Sequence, residues 1–111
     1  QQTGGLLLQV GSCFALELTL ASRTLHAYVK DTGEQTMQDC GTLQLVPGAP
    51  VRLQVFLDRC SAEIFEDGKC LSVNVFDTAP LRPVSLIPQG GTLPLQLLQV
   101  WQLQHVMEPQ T

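Results

Sequence analysis

Apolar and polar residues alternate along much of this chain with a period of two. In Phe14-Ala-Leu-Glu-Leu-Thr-Leu20, the side chains of Phe14, Leu16, Leu18 and Leu20 face one way, and Glu17 and Thr19 face the other. In Val51-Arg-Leu-Gln-Val-Phe-Leu57, Val51, Leu53, Val55 and Leu57 oppose Arg52, Gln54 and Phe56. Turn formers recur between the apolar runs: Asp31-Thr-Gly33, Pro47-Gly48, Asp67-Gly68 and Gly90-Gly91. No long stretch carries a sustained helical period with a cap at each end. The pattern predicts strands near 6–10, 14–20, 25–30, 42–46, 51–57, 61–66, 69–76, 84–87 and 95–106. The last is apolar on both sides, which suits a strand covered on both faces with a bulge near Leu97-Leu98. Trp101 lies in this run and reads as core. Residues 77–83 hold two prolines and read as a crossing loop. Many short strands with regular turns predict an all-β fold, a two-sheet antiparallel β-sandwich in one domain over 1–111.

Residues 51–76 carry the sharpest expectation. If Asp58-Arg59 and Asp67-Gly68 are both two-residue hairpin turns, the first pairs Leu57 with Cys60, Val55 with Ala62 and Leu53 with Ile64. The second pairs Phe65 with Cys70, Ile64 with Leu71, Ala62 with Val73 and Cys60 with Val75. Both registers send Val51, Leu53, Val55, Leu57, Cys60, Ala62, Ile64, Leu71, Val73 and Val75 to one face. A slip of one residue would turn a whole strand over. Cys60 is then a buried small hydrophobe, and Cys70 lies on the opposite face, out of disulfide reach. Separated thiols fit a reducing, cytoplasmic setting.

The opposite face is expected to be wet, yet it holds Phe56, Phe65 and Phe76, three of the four phenylalanines. They form the candidate surface for docking another domain. The competing expectation is that the 77–83 loop folds over them.

Length, charge and cysteine spacing then narrow the function. A chain of 111 residues holds one ordinary domain. Net charge is −4, which argues against nucleic acid and against an anionic membrane surface. No apolar run approaches the roughly 18 residues of a membrane-spanning helix. The opening residues, Gln1 to Ser12, lack the basic segment and long apolar stretch of a secretory leader. Cys13, Cys40, Cys60 and Cys70 show no metal-binding spacing, and His26 and His105 lie far from any cysteine pair. No cofactor is expected. His26 and His105 occupy polar positions and read as solvated. Asp58 and Glu63 are the carboxylates a glycosidase reading would need, at about 5 Å or about 6.5–9.5 Å across a cleft. A tight turn and a flat strand face offer them no such cleft, so no catalytic residue is assigned.

The stretch Val51-Arg-Leu-Gln-Val-Phe-Leu-Asp-Arg-Cys-Ser-Ala-Glu-Ile-Phe-Glu-Asp-Gly68 resembles the C-terminal β-sandwich of glycoside hydrolase family 32. This is the family of invertases, sucrose-6-phosphate hydrolases, levanases and inulinases. Asp58, Arg59, Glu63, Phe65, Asp67 and Gly68 occupy that domain's motif positions, with Cys60 where Ser is usual. The closing run with Trp101-Gln-Leu103 is similar to the family's last strand. The resemblance implies a non-catalytic domain that packs on and stabilises a catalytic β-propeller carrying the nucleophilic Asp and the acid/base Glu. The propeller's motifs, Asn-Asp-Pro-Asn, Arg-Asp-Pro and Glu-Cys, do not occur in these residues. For some members the resemblance also implies homo-oligomer contacts and carbohydrate binding. The alternative reading is a stand-alone carbohydrate-binding module for fructans or related sugars; a third is an unrelated structural sandwich used in self-association.

Overall fold

The computed structural model describes residues 4–46, 50–58, 60–77, 82–90 and 95–102, without the side chains of 95–98 and 101. Among the described residues nine strands follow one another: β1 (Gly5–Val10), β2 (Phe14–Thr19), β3 (Thr24–Val29), β4 (Gln38–Gln44), β5 (Val51–Leu57), β6 (Ser61–Glu66), β7 (Lys69–Asn74), β8 (Val84–Pro88) and β9 (Leu95–Gln102). They build a five-stranded sheet in the order β4-β3-β2-β1-β8 and a four-stranded sheet in the order β7-β6-β5-β9. The two inner faces close over one core. Leu8, Val10, Phe14, Leu16, Leu18, Leu25 and Ala27 come from the first sheet. Val51, Leu53, Val55, Leu57, Ala62, Ile64 and Val73 come from the second. Period-two alternation is the cause: each strand has one dry side, and two dry sides must meet. The all-β sandwich is therefore as expected.

One strand departs from the antiparallel pattern. β9 runs parallel to β5, so the second sheet is mixed. A parallel pair needs a long connection, and β6, β7 and β8 lie between the two partners in the chain. The register shift in this pair falls opposite Val51 and Arg52, where Leu95 and then Leu97 align, so the irregularity sits at Gln96 rather than at Leu97-Leu98. β9 lies at the sheet edge, and its described side chains Gln99, Val100 and Gln102 are half-buried. The extension to 106 and the Trp101 side chain lie outside the described residues.

The β6–β7 hairpin has the expected register, with Phe65 opposite Cys70, Ile64 opposite Leu71 and Ala62 opposite Val73. Asp67 and Gly68 take φ of 48° and 80°. Two positive φ values in succession make the turn that matches strand twist, and the Asp-Gly pair supplies them. Val75 N–H donates to the Cys60 carbonyl at 3.1 Å, which aligns those two residues as expected.

The β5–β6 hairpin is offset by two. Leu57 opposes Ala62, Val55 opposes Ile64, and Leu53 opposes Glu66 rather than Ile64. Asp58 N–H donates to the Ser61 carbonyl at 2.9 Å, so Asp58 belongs to the β5 side of the turn rather than to its centre. In an Asp-Arg pair the Arg is poorly suited to positive φ, so turn chemistry does not pin this register. An even offset leaves every side chain on its own face. Its cost falls on two residues. Cys60 is exposed in the turn rather than buried, and Glu66 takes an interior place at 3% exposure. Cys60 and Cys70 still lie far apart, because Cys60 aligns with Val75, five positions along the chain from Cys70.

The first sheet carries a second local difference. β4 starts at Gln38, earlier than the expected 42, and Cys40 is an extra residue opposite the Ala27–Tyr28 step. The segment Gln-Asp-Cys-Gly-Thr is polar because β4 is an edge strand, so alternation is weak there. Gly41 belongs where β4 meets β7: a Cβ would come within 2.6 Å of Leu71 Cδ1. Lys69 Nζ also donates to the Gln44 carbonyl across this seam.

Candidate functional site

The outer face of the second sheet holds the motif residues. β5 places Arg52, Gln54 and Phe56 there, β6 places Ser61, Glu63 and Phe65, and β7 places Cys70, Ser72 and Asn74. Phe56 and Phe65 sit diagonally across the β5–β6 ladder, half-buried, with ring centroids 5.6 Å apart and planes at 83°. This edge-to-face contact points the positive rim of one ring at the negative face of the other. Beside them Gln54 Nε2 donates to Gln99 Oε1 at 2.7 Å, tying β5 to β9.

Phe76 does not join the pair. It follows β7 six residues after Cys70, the partner of Phe65, which places it about 20 Å away along the strand at about 3.3 Å per residue. It is 56% exposed, and its carbonyl accepts from Thr32 Oγ1 at 3.5 Å. The ends of the crossing loop, Asp77 and Arg82, lie beside Gly11 at the end of β1. The described parts of the loop therefore approach the first sheet. Residues 78–81 of that expected cover lie outside the described residues.

The two carboxylates considered for hydrolysis are both exposed. Asp58 directly follows β5, and its carbonyl accepts from Arg82 Nη1 at 3.2 Å. Glu63 lies on the flat outer face, opposite Phe56 on one side and Ser72 on the other. Asp67 and Gly68 form the turn already described, and Arg59 lies outside the described residues. The motif thus builds a hairpin and a flat surface. No group of three or more His, Cys, Asp or Glu that could hold a metal ion is present among the described residues.

A polar network on the outer face of the first sheet was not legible in the sequence. Tyr28 OH donates to Glu17 Oε1 at 3.2 Å. Two residues before Tyr28, His26 Nδ1 contacts Asp39 Oδ2 at 2.8 Å and Thr42 Oγ1 at 3.1 Å. The His26 and Tyr28 rings are 6.1 Å apart. Burial, and then the Glu17 carboxylate, push the Tyr28 phenol above its usual value of 10.0, because both disfavour a phenolate. His26 is held by partners rather than freely solvated. Alternation alone puts Glu17, His26 and Tyr28 outward, but Asp39 reaches His26 only because of the extra residue in β4, which no local pattern announced. Both His26 contacts fall on Nδ1, and among the described residues Nε2 has no hydrogen-bond partner.

Against known protein families, residues 14–102 match the family model described as glycosyl hydrolases family 32 C terminal. No curated protein and no solved structure matches the chain.

Proposed function

Because the chain belongs to the glycosyl hydrolase family 32 C-terminal domain family, matched over residues 14–102, we propose that it is the non-catalytic β-sandwich of a β-fructosidase. In this reading the parent enzyme cleaves sucrose or a fructan, and the sandwich packs on and stabilises a catalytic β-propeller that these residues do not contain. The family match is the observation that carries the reading. The flat motif surface supports it: Asp58 and Glu63 are exposed, beside a turn and on an open strand face, where the described residues form no cleft between two carboxylates. The docking surface is assigned to the outer face of the second sheet, centred on Phe56 and Phe65, with Phe76 as a separate contact near the β7 end. Two half-buried rings on an otherwise polar face are what a partner would cover.

The purified 111-residue chain is expected to hydrolyse neither sucrose, inulin nor levan; release of fructose from any of them would overturn the reading. In the intact enzyme, replacing Phe56 and Phe65 by Ser is expected to lower thermal stability and activity together. Unchanged values for both would remove the surface assignment.

A stand-alone fructan-binding module is the second reading. It is favoured by the Glu17–Tyr28 and His26–Asp39 pairs, which put an aromatic ring and carboxylates on one outer face. Titration calorimetry of the chain with inulin, levan and sucrose separates the two. Heat of binding that Tyr28→Ala abolishes would favour the module.

A further inference from the structure

The two sheets differ in charge. The five strands of the first contain neither Lys nor Arg, and apart from His26 their charged residues are Glu17 and Asp39 alone. Lys30, just past β3, turns its ammonium to the Glu34 carbonyl at 2.7 Å. Between the two carboxylates lie the Tyr28 and His26 rings. The register sets Glu17 opposite His26 and Ala15 opposite Tyr28. Strand side chains stand roughly upright from a sheet, and an upright Tyr28 would lift its hydroxyl above the shorter Glu17. The hydroxyl instead meets Glu17 Oε1 at 3.2 Å, so the ring inclines across β2. Ala15 points outward yet is 5% exposed, as a residue beneath an inclined neighbour is. The half-buried Tyr28 ring thus turns one face to the sheet and the other to solvent.

The hydrogen bonds of this cluster spend its donors internally. Tyr28 OH gives its proton to Glu17. A carboxylate only accepts, so the 2.8 Å contact with Asp39 Oδ2 puts a proton on His26 Nδ1, and Thr42 Oγ1 at 3.1 Å shares it. In the neutral ring Nε2 is then a bare acceptor. Glu17 Oε2 is a second, since among the described residues no hydrogen bond reaches it. The Tyr28 hydroxyl oxygen, its own proton committed, is a third. Asp39 is already engaged on both oxygens, because Oδ1 accepts from Gly41 N–H at 3.1 Å. Three acceptors therefore surround one open aromatic face. That face is itself electron-rich, and donation of the hydroxyl proton to a carboxylate makes it more so.

We propose that this face binds the guanidinium of an arginine presented by a partner polypeptide. A guanidinium is planar, carries five N–H donors and no acceptor, and stacks on aromatic rings. Laid on the open face of Tyr28, it can give one N–H to Glu17 Oε2 and another to His26 Nε2, whose ring centre is 6.1 Å from that of Tyr28. A lysine ammonium can pair with Glu17 but has no plane to stack. A sugar brings acceptors as well as donors, and the three groups around the ring offer its acceptors nothing. The missing Lys and Arg in these strands leave the field negative, which draws a cation in. The contact is exposed, so one arginine binds weakly and in a salt-dependent way. The proposal concerns the opposite side of the sandwich from Phe56 and Phe65 and does not depend on the docking reading. It assigns to the Tyr28 face a different ligand from the fructan-module reading.

NMR of the 111-residue chain, titrated with blocked Gly-Arg-Gly peptide in low salt at about pH 8 where imidazole is neutral, tests this. Tyr28 is the sole tyrosine, so its ring signals report the face alone. They are expected to shift saturably, and the arginine side-chain protons to move upfield from lying over the ring. Gly-Lys-Gly is expected to bind at least about threefold more weakly, and Gly-Gln-Gly not at all. Glu17→Gln keeps an acceptor for Tyr28 and is expected to weaken arginine binding about fivefold or more, equivalent to about 1 kcal/mol. Glu34→Gln removes the same charge from the β3–β4 loop and is expected to change it less than about twofold. The absence of a saturable shift overturns the proposal. So does equal binding of the Gln peptide, or a Glu17→Gln chain that binds as well as Glu34→Gln. Inulin that shifts Tyr28 where the arginine peptide does not overturns it too, and assigns the face to the fructan module. Arginine binding without inulin binding supports it and removes the module reading. Should Glu17→Gln fail to fold, Tyr28→Leu keeps Ala15 covered and is expected to abolish the upfield shift of the arginine protons; a shift that persists overturns the stacking.

Discussion

Replacing Glu66 with Leu is expected to stabilise the sandwich. Glu66 is 3% exposed and shares the inner face of the second sheet with Leu53 and Ile64. Its Oε1 has no hydrogen-bond partner among the described residues, and Oε2 receives only a 3.5 Å contact from Arg52 N–H. A contact of that length is at the outer limit of a hydrogen bond. Leaving one buried polar atom unsatisfied costs about 1–3 kcal/mol. Leu fills a similar volume with apolar atoms, and the change of shape costs about 1 kcal/mol. The balance is a gain of up to about 2 kcal/mol. For a domain of this size each kcal/mol shifts Tm by about 3–6 °C. Chemical denaturation read by Trp101 fluorescence, with the slope m unchanged, measures the gain directly. Glu66→Gln removes the charge but keeps two polar atoms, so its gain is expected to be smaller. If Glu66→Leu lowers the midpoint, the carboxylate is bonded in the native state and the reasoning fails.

Gly68→Ala isolates turn strain: φ is 80° and a Cβ there meets nothing within 4 Å, so the loss is expected to be only about 1 kcal/mol by denaturation. Gly5→Ala is expected to be several-fold worse, because its Cβ would collide with the Leu18 carbonyl oxygen, and equal losses for the two would refute that assignment. Leu53→Ala, at a fully buried site, is expected to cost about 2–5 kcal/mol. Tyr28 is the sole tyrosine, so a near-ultraviolet phenolate titration reports it alone, with a midpoint expected above 10.0 in the native chain and lower in Glu17→Gln. The native chain holds this proton after the unfolded chain has released it. Stability from this group is therefore intact below pH 10.0 and is lost as pH rises from there through the native pKa. Thiol labelling is expected to modify Cys40, Cys60 and Cys70 in the native chain and Cys13 only after unfolding.

Much of the architecture was legible along the chain because the direction of a strand side chain is a local property. Alternation over 14–20 and 51–57 placed Phe14, Leu16, Leu18, Val51, Leu53, Val55 and Leu57 correctly in the core. Asp67-Gly68 fixed the β6–β7 register, since positive φ is tolerated there and few other residue pairs accept it. The motif from Asp58 to Gly68 also carried the family resemblance, which the match over 14–102 bears out.

Packing decided what alternation leaves degenerate. An offset by two keeps every face, so the chain alone did not distinguish Leu53 opposite Ile64 from Leu53 opposite Glu66, and with it the fates of Glu66 and Cys60. Strand order and direction depend on which edges meet when two sheets close, and that made β9 parallel and left β8 overhanging. The same closure separated Phe76 from Phe56 and Phe65 and brought Asp39 to His26 across an extra residue. Facing is settled by each strand's own period of two. Alignment between strands is settled by sterics and burial summed over both sheets, and no single segment holds that information.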